Sequence, residues 1–133
     1  MALYAYSSTP QAVPAGSSIA LAQAVRRGRS ATLSGLGVAL NAPNSPYEVA
    51  VSVTGTTTAA GDLSVAAYVD GVAVPGAAAT QEVAAAGDAA SVAFSFIYVT
   101  PPQACCDPPT VTLVNAGGAG TVTNASVTVH RLS

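Results

Sequence analysis

Alternation of Val with small or polar side chains is the pattern that most limits what this chain can fold into. In residues 49–54, Val recurs at every second position, with Ala, Ser and Thr between. Residues 125–130 repeat the pattern with Ala, Val and Val separated by Ser, Thr and His. Successive strand side chains point to opposite faces, so each run indicates a β-strand buried on one face only.

Turn-forming residues separate these runs at short intervals. Asp70-Gly71 lies between Val-rich segments and is typical of a tight hairpin, because both turn positions need a positive φ. Residues 41–46 (NAPNSP) and 101–109 (PPQACCDPP) are too rich in turn formers to be strand interiors. A tally of roughly eight to ten short strands predicts an all-β fold, an antiparallel two-sheet sandwich or jelly roll.

Local patterns give four further predictions. Residues 18–25 alternate and favour a single strand, although their Ala and Leu would also suit a helix, and Arg26-Arg27-Gly28-Arg29 follows as a turn. Leu36, Val38 and Leu40 share one face of the next strand. Residues 91–100 are apolar on both faces, which indicates a strand covered on both sides. Residues 110–132 form a C-terminal hairpin of two strands joined by a flexible Gly-rich loop.

The composition favours one domain that associates with other chains. The 133 residues fit a single domain, 1–133, in which 1–17 are either a docking arm or the first strand. Only 8% of residues are charged, against about 25% in an average soluble domain. Half of the residues are apolar, but many are Ala, so the core of a lone protomer should be thin.

Several partners and locations are disfavoured. A net charge of −2 with no Lys gives no electrostatic case for nucleic acid. No apolar run approaches the roughly 20 residues that span a bilayer. The first residues, MALYAYSSTPQAVPAG, lack a basic segment before an apolar one, so we expect no signal peptide and synthesis in a cytoplasm.

The inventory for catalysis is poor, and the expectation is a protein that is not an enzyme and has no cofactor. The carboxylates are scattered, mostly in predicted turns: Glu48, Asp62, Asp70, Glu82, Asp88 and Asp107. A zinc site needs four N or S ligands, which one vicinal Cys pair and His130 do not supply within a chain. No metal site is therefore predicted.

Three segments carry a resemblance to a known family: YVDGVAVPGAA at 68–78, TVTLVNAGGAGTVT at 110–123 and NASVTVHRLS at 124–133. They resemble the trimeric jelly-roll domain at the C-terminus of BclA-like spore-surface glycoproteins, found also in phage structural proteins and similar in fold to tumour-necrosis-factor-like domains. The match covers about residues 45–133, more loosely the rest. It implies a homotrimeric jelly roll displayed on a particle surface.

The functional expectation follows from this resemblance. Spore proteins carry a collagen-like stalk before the domain, and this chain has none. A non-enzymatic trimeric decoration, cementing or head-fibre protein on a phage capsid therefore fits better, with the capsid or shell protein as partner and the virion surface as location. The alternatives are a receptor- or glycan-binding fibre tip, against which the absence of Trp counts, and a spore-surface shell protein.

Cys105 and Cys106 are the most informative local pair. Adjacent Cα atoms are about 3.8 Å apart, below the roughly 4.4–6.8 Å of an unstrained disulfide, so a bond within the pair is disfavoured. Under the three-fold symmetry that the resemblance implies, Cys105 of one chain can bond Cys106 of the next. Reduced thiols, a metal site and a strained pair remain as alternatives.

The other candidates concern contacts rather than chemistry. One group is assigned to the core or to the trimer interface: Phe94, Phe96, Ile97, Tyr98, Val99, Val127 and Val129. Phe94, Phe96 and Tyr98 favour the core, which leaves Ile97 and Val99 as interface candidates. The resemblance places 125–129 in a central strand beside the three-fold axis.

The last group is basic. Arg26, Arg27 and Arg29 are candidates for docking on an acidic patch of a particle, and the alternative is a solvated turn. His130 is interpreted as a strand residue facing solvent or a polar neighbour.

Overall fold

The computed structural model describes residues 2–34 and 37–132, without the side chain of Cys105. Its strands form two six-stranded antiparallel sheets. Sheet A contains β1 (Ala2–Ser7), β2 (Gln11–Val13), β4 (Gln23–Arg27), β7 (Pro46–Thr57), β10 (Ala89–Val99) and β12 (Gly120–Arg131). Sheet B contains β3 (Ser18–Ile19), β5 (Ala31–Ser34), β6 (Gly37–Leu40), β8 (Gly61–Val69), β9 (Val72–Val83) and β11 (Thr110–Asn115). A 3₁₀ turn spans Pro102–Cys105.

The order of strands confirms the predicted antiparallel sandwich. Sheet A runs β10-β7-β12-β1-β4, with β2 also paired to β12. Sheet B runs β5-β6-β11-β8-β9, with β3 also paired to β11. Many connections cross from one sheet to the other, which is the topology of a jelly roll. Residues 2–7 lie between β12 and β4 and so form the first strand of sheet A.

The alternating valines of β7 and β12 point into the core, as the sequence pattern predicts. Val49, Val51 and Val53 are buried, and Val127 and Val129 are exposed by only 1% and 0%. Since these side chains are enclosed by the protomer's own second sheet, Val127 and Val129 offer no surface to another chain. The inner side chains of β10 are half-buried and pack against the same core: Phe94, Phe96 and Tyr98.

Tyr47 is the largest fully enclosed side chain in the described part of the chain. Its hydroxyl donates to the carbonyl oxygen of Ser30 at 2.7 Å and accepts from the backbone N–H of Ala42 at 3.1 Å. The buried Ala42 N–H is satisfied in this way, and the Ser30 carbonyl oxygen, which also accepts the Asn41 N–H at 2.7 Å, gains a second donor. Tyr47 thus ties the loops around β5 and β6 to sheet A.

The Gly-rich segment 115–120 corrects one prediction. β11 belongs to sheet B and β12 to sheet A, so the segment arches between the sheets and does not close a hairpin. Asn115, exposed by only 3%, donates to the carbonyl oxygens of Val13 and Gly118 and accepts from the Gly117 N–H. A Cβ at Gly117 would meet the carbonyl oxygen of Asp62. Close backbone approach, rather than flexibility, explains the glycine there.

Of the other local predictions, some are confirmed and some are wrong. The Asp70-Gly71 turn is confirmed, with φ of 51° and 82°. The predicted single strand 18–25 is wrong, because β3 joins sheet B whereas β4 joins sheet A. Arg26 and Arg27 belong to β4, and the chain bends only at 28–30, where Gly28 has φ of 90°. Leu36 lies outside the described residues.

The strand at 91–100 was predicted to be covered on both faces, and within one chain it is not. Ile97 and Val99 are exposed by 61% and 62% on the outer face of β10. A β-sandwich covers only the inner face of an edge strand, so the apolar outer face of β10 has no cover from its own chain.

Candidate interaction surface on sheet A

The outer face of sheet A exposes large apolar side chains at both of its edges. At the β10 edge are Ile97 and Val99, and at the opposite edge are Val25 of β4, 65% exposed, and Tyr4 of β1, 45% exposed. Isolated apolar residues are normal on surfaces, but here four of them lie on one face of one sheet. This face is therefore the candidate interaction surface.

Small side chains keep the middle of that face flat. The strand register sets Tyr4 beside Thr128, Thr128 beside Ala50, and Ala50 beside Ser95. The next row, two residues along, is similar: Tyr6, Ser126, Ser52 and Ala93. Such a surface allows the backbone of another chain to approach closely.

The two tyrosines of β1 are features that the sequence analysis missed. Their rings stack with centroids 5.2 Å apart and planes at 25°. Tyr4 and Tyr6 border a shallow polar groove with Ser52, Asn124 and Ser126. The Leu-Tyr-Ala-Tyr alternation at 3–6 could have predicted this pair, because it places both rings on the face opposite Leu3 and Ala5.

The charged residues of this face lie in one row at one end. The register aligns Ile97, Glu48, His130, Ala2 and Arg27 across the five strands of the sheet. Glu48 and Arg27 are separated by three strand spacings, about 14 Å. They therefore stand near opposite edges of the sheet.

The three clustered arginines do not form one patch. Arg27 shares the outer face of sheet A with Ala2, whereas Arg26 pairs with the buried Leu3 and so projects from the other face of β4. Arg29 lies in the bend that follows, and its carbonyl oxygen accepts a hydrogen bond from Asn41. All three are exposed.

On the opposite side of the sandwich β9 lies against β10, and the Gln81 side chain accepts the Ser91 N–H between them, but this side is open near Asp70 and Tyr98. An opening of about 430 Å³ lies there, bordered by Val69, Asp70, Val72, Pro75 and Tyr98. Val72 is 71% exposed. The Asp70 carboxylate accepts the backbone N–H of Thr110 at 3.0 Å. This side is thus apolar, and the Asp70 carboxylate lies at its margin.

The segment with the cysteines is an ordered turn. The N–H of Ala104 donates to the carbonyl oxygen of Pro101, and the N–H groups of Cys106 and Asp107 both donate to that of Gln103. Ala104 is completely buried, which anchors the turn, and Cys106 is exposed.

Among the described residues, the side chains that could bind a metal do not lie close together. Among them, no three His, Cys, Asp or Glu side chains come close enough to hold a metal ion. His130 and Glu48 are cross-strand neighbours on the exposed face, and the other carboxylates lie elsewhere.

Within the described residues, no helix has the length and apolar character needed to cross a membrane.

Comparison with known proteins bears on the fold. No protein-family profile matches the chain. No curated protein sequence matches it either. Among solved structures, "PRD1 vertex protein P5" is 17% identical with a TM-score of 0.59, covering 99% of this chain and 73% of that one. An Eiger TNF from S. frugiperda is 11% identical with a TM-score of 0.70, covering 100% of this chain and 92% of that one. The chain therefore has the jelly-roll fold of tumour-necrosis-factor-like domains.

Proposed function

We propose that the protein is a non-enzymatic structural protein that forms a homotrimer and decorates the shell of a virus particle. The observation that carries the proposal is the outer face of sheet A, where Tyr4, Val25, Ile97 and Val99 are exposed around a flat centre of small residues. A second copy is the occupant that this face fits best, because its middle carries few charges and is wide.

The β10 edge supports association of the same kind. Its 11 residues, Ala89–Val99, contain no charged side chain, and it is the last strand of its sheet. Proteins usually protect such long edges with charges, bulges or a cover. Gln81 of β9 accepts the Ser91 N–H at one end of this edge, and the other end, with Ile97 and Val99, is expected to be covered by another chain.

The place on a particle rests on similarity in fold. One of the similar structures is, by its name, the PRD1 vertex protein P5, and this chain shares its fold. Because fold alone does not determine function, the assembly and docking experiments test the proposal.

Docking on the shell is assigned to Arg26 and Arg29. Both are exposed: Arg26 projects from the face of β4 opposite Arg27, and Arg29 lies in the bend after β4. Guanidinium groups bind carboxylates with paired hydrogen bonds, which suits an acidic patch on a shell protein.

The assembly is tested by mass in solution. Sedimentation equilibrium is expected to give three times the 12.9 kDa chain mass for the native protein. Ile97→Glu with Val99→Glu is expected to give monomers, because six charges would be brought into the covered face. Thr112→Glu, on the outer face of sheet B, is the control and should remain trimeric. A native protein that sediments as a monomer contradicts the proposed trimer.

Docking is tested by charge reversal. Arg26→Glu with Arg29→Glu is expected to abolish co-sedimentation with particles stripped of this protein, while the trimer mass stays unchanged. The repulsion between like charges is the reason, and added salt should weaken native binding in parallel. Gln at both positions serves as the neutral control, with intermediate binding. Full binding by the reversed variant would remove these arginines from the docking site.

A further inference from the structure

We propose that the β4 side of one copy seats on the open β9–β10 side of the next, with Val25 against Val72 and Arg27 against Asp70. This contact rests on the proposed homotrimer and specifies how its subunits meet. It joins two different surfaces, so that each copy uses one surface of each kind.

The apolar parts of the two surfaces match. On the β4 side, Val25 and Tyr4 stand over a shallow apolar hollow formed with Ala2 and Leu3. On the other side, Val72 projects beside the opening of about 430 Å³ that Val69 and Tyr98 border. Val25 and Val72 are among the most exposed aliphatic side chains described, at 65% and 71%. Each would bury its apolar surface against the other.

The two surfaces also lie at the same level along the strands. Arg27 occupies the row of sheet A that contains Ile97. Tyr98, the next residue of β10, borders the opening together with Asp70. Neighbouring subunits related by rotation about an axis along the strands keep this level, so Arg27 of one faces the margin of the next that holds Asp70.

The basic and acidic residues lie in different parts of the chain, and this favours contact between two unlike surfaces. Residues 1–47 contain three Arg and no acidic residue, a charge of +3. Residues 48–133 contain six acidic residues and one Arg, a charge of −5, and the two parts sum to the net −2. Arg27 lies on β4 and Asp70 in the turn between β8 and β9, on opposite sides of the sandwich, so these two charges do not meet within one chain.

A contact between two β4 sides would set arginines against arginines, and a contact between two open sides would set carboxylates against carboxylates. The mixed contact alone opposes unlike charges, and a head-to-tail contact of this kind closes into a ring.

Cross-linking tests the geometry directly. In a Cys105→Ser, Cys106→Ser background, the pair Val25→Cys and Val72→Cys is treated with a flexible bis-maleimide and run on a denaturing gel. A covalent trimer is expected from the pair, and monomers are expected from either single cysteine. A trimer by sedimentation whose paired cysteines stay unlinked overturns this contact but not the trimer. A monomer by sedimentation overturns both.

A double-mutant cycle tests the charges with changes that preserve the fold. Arg27→Gln keeps the side-chain length, and Asp70→Asn keeps a residue that tolerates the positive φ and can accept the Thr110 N–H. Each is expected to raise the trimer dissociation midpoint about tenfold, and the double variant no further. Arg29→Gln with Asp62→Asn is the matched control and should change little. Additive losses from Arg27→Gln and Asp70→Asn would refute the pairing.

Discussion

Replacing Tyr47 by Ala is expected to lower the free energy of unfolding by about 3–5 kcal/mol, as large aromatic deletions in cores do. The ring is fully enclosed, so its removal leaves a cavity between the sheets. The buried Ala42 N–H would also lose its hydrogen-bond partner, and the Ser30 carbonyl oxygen would keep only the bond from the Asn41 N–H. Since small domains are stable by only about 5–15 kcal/mol, this variant should be close to unfolding at 37 °C.

Tyr47→Phe separates the packing from the hydrogen bonds. It keeps the ring and removes only the hydroxyl, so we expect a loss of about 1–3 kcal/mol, chiefly because the buried Ala42 N–H is left without its partner. Tyr98→Phe, half-buried beside the opening, is the matched control and should change stability by less than about 0.5 kcal/mol. Urea denaturation followed by circular dichroism measures all three variants. Equal midpoints for native protein and Tyr47→Phe would show that the hydroxyl does not stabilise the fold.

Air-oxidised protein is expected to run as a covalent trimer on a denaturing gel without reductant and as a monomer with it. We propose that Cys105 of one chain bonds Cys106 of the next, since the two adjacent Cα atoms are too close for an unstrained bond within the pair. Each bond joins two thiols and releases two protons and two electrons, so the formation of two bonds reduces one molecule of oxygen to two of water. The turn continues from β10, the edge that the proposed trimer covers, and Pro101 and Gln103 hold its backbone.

Single substitutions decide this pairing. Cys106→Ser removes one partner from every junction of the ring, so no covalent trimer should form, and Cys105→Ser should behave alike. Persistence of the trimer band in either variant rules out the proposed connectivity. A monomer band from fully oxidised native protein, with the noncovalent trimer still present by sedimentation, rules out the covalent ring alone.

Which face of each strand is buried could be predicted from the sequence, because side-chain alternation is a local property. The rows Val49, Val51, Val53 and Ala125, Val127, Val129 are buried as their period requires, and Asp70-Gly71 turns as its two positive φ angles require. Partner strands could not be predicted in the same way. Residues 110–115 and 120–131 look like a hairpin along the chain, and only the pairing with β8 and β7 reveals two different sheets.

The candidate surface was predicted in part for the same reason. Ile97 and Val99 are consecutive outward positions of one apolar strand, so they could be predicted from the sequence as interface candidates. Tyr4 and Val25 are 21 positions apart and become neighbours only because β1 pairs with β4. Arg26 and Arg27 look like one basic group in sequence, yet a strand sends adjacent side chains to opposite faces.

The pairing of β1 with β12 also governs when this protein can fold during synthesis. Six residues of β1 have their partners in residues 125–130, and the Asn115 amide bonds a carbonyl 102 positions earlier. Sheet A therefore stays incomplete on the ribosome until β12 emerges, with the apolar β7 waiting for the same strand. Contacts of such long range favour slow folding, on the order of milliseconds to seconds. During that interval the low charge of the chain offers little protection against association between nascent copies.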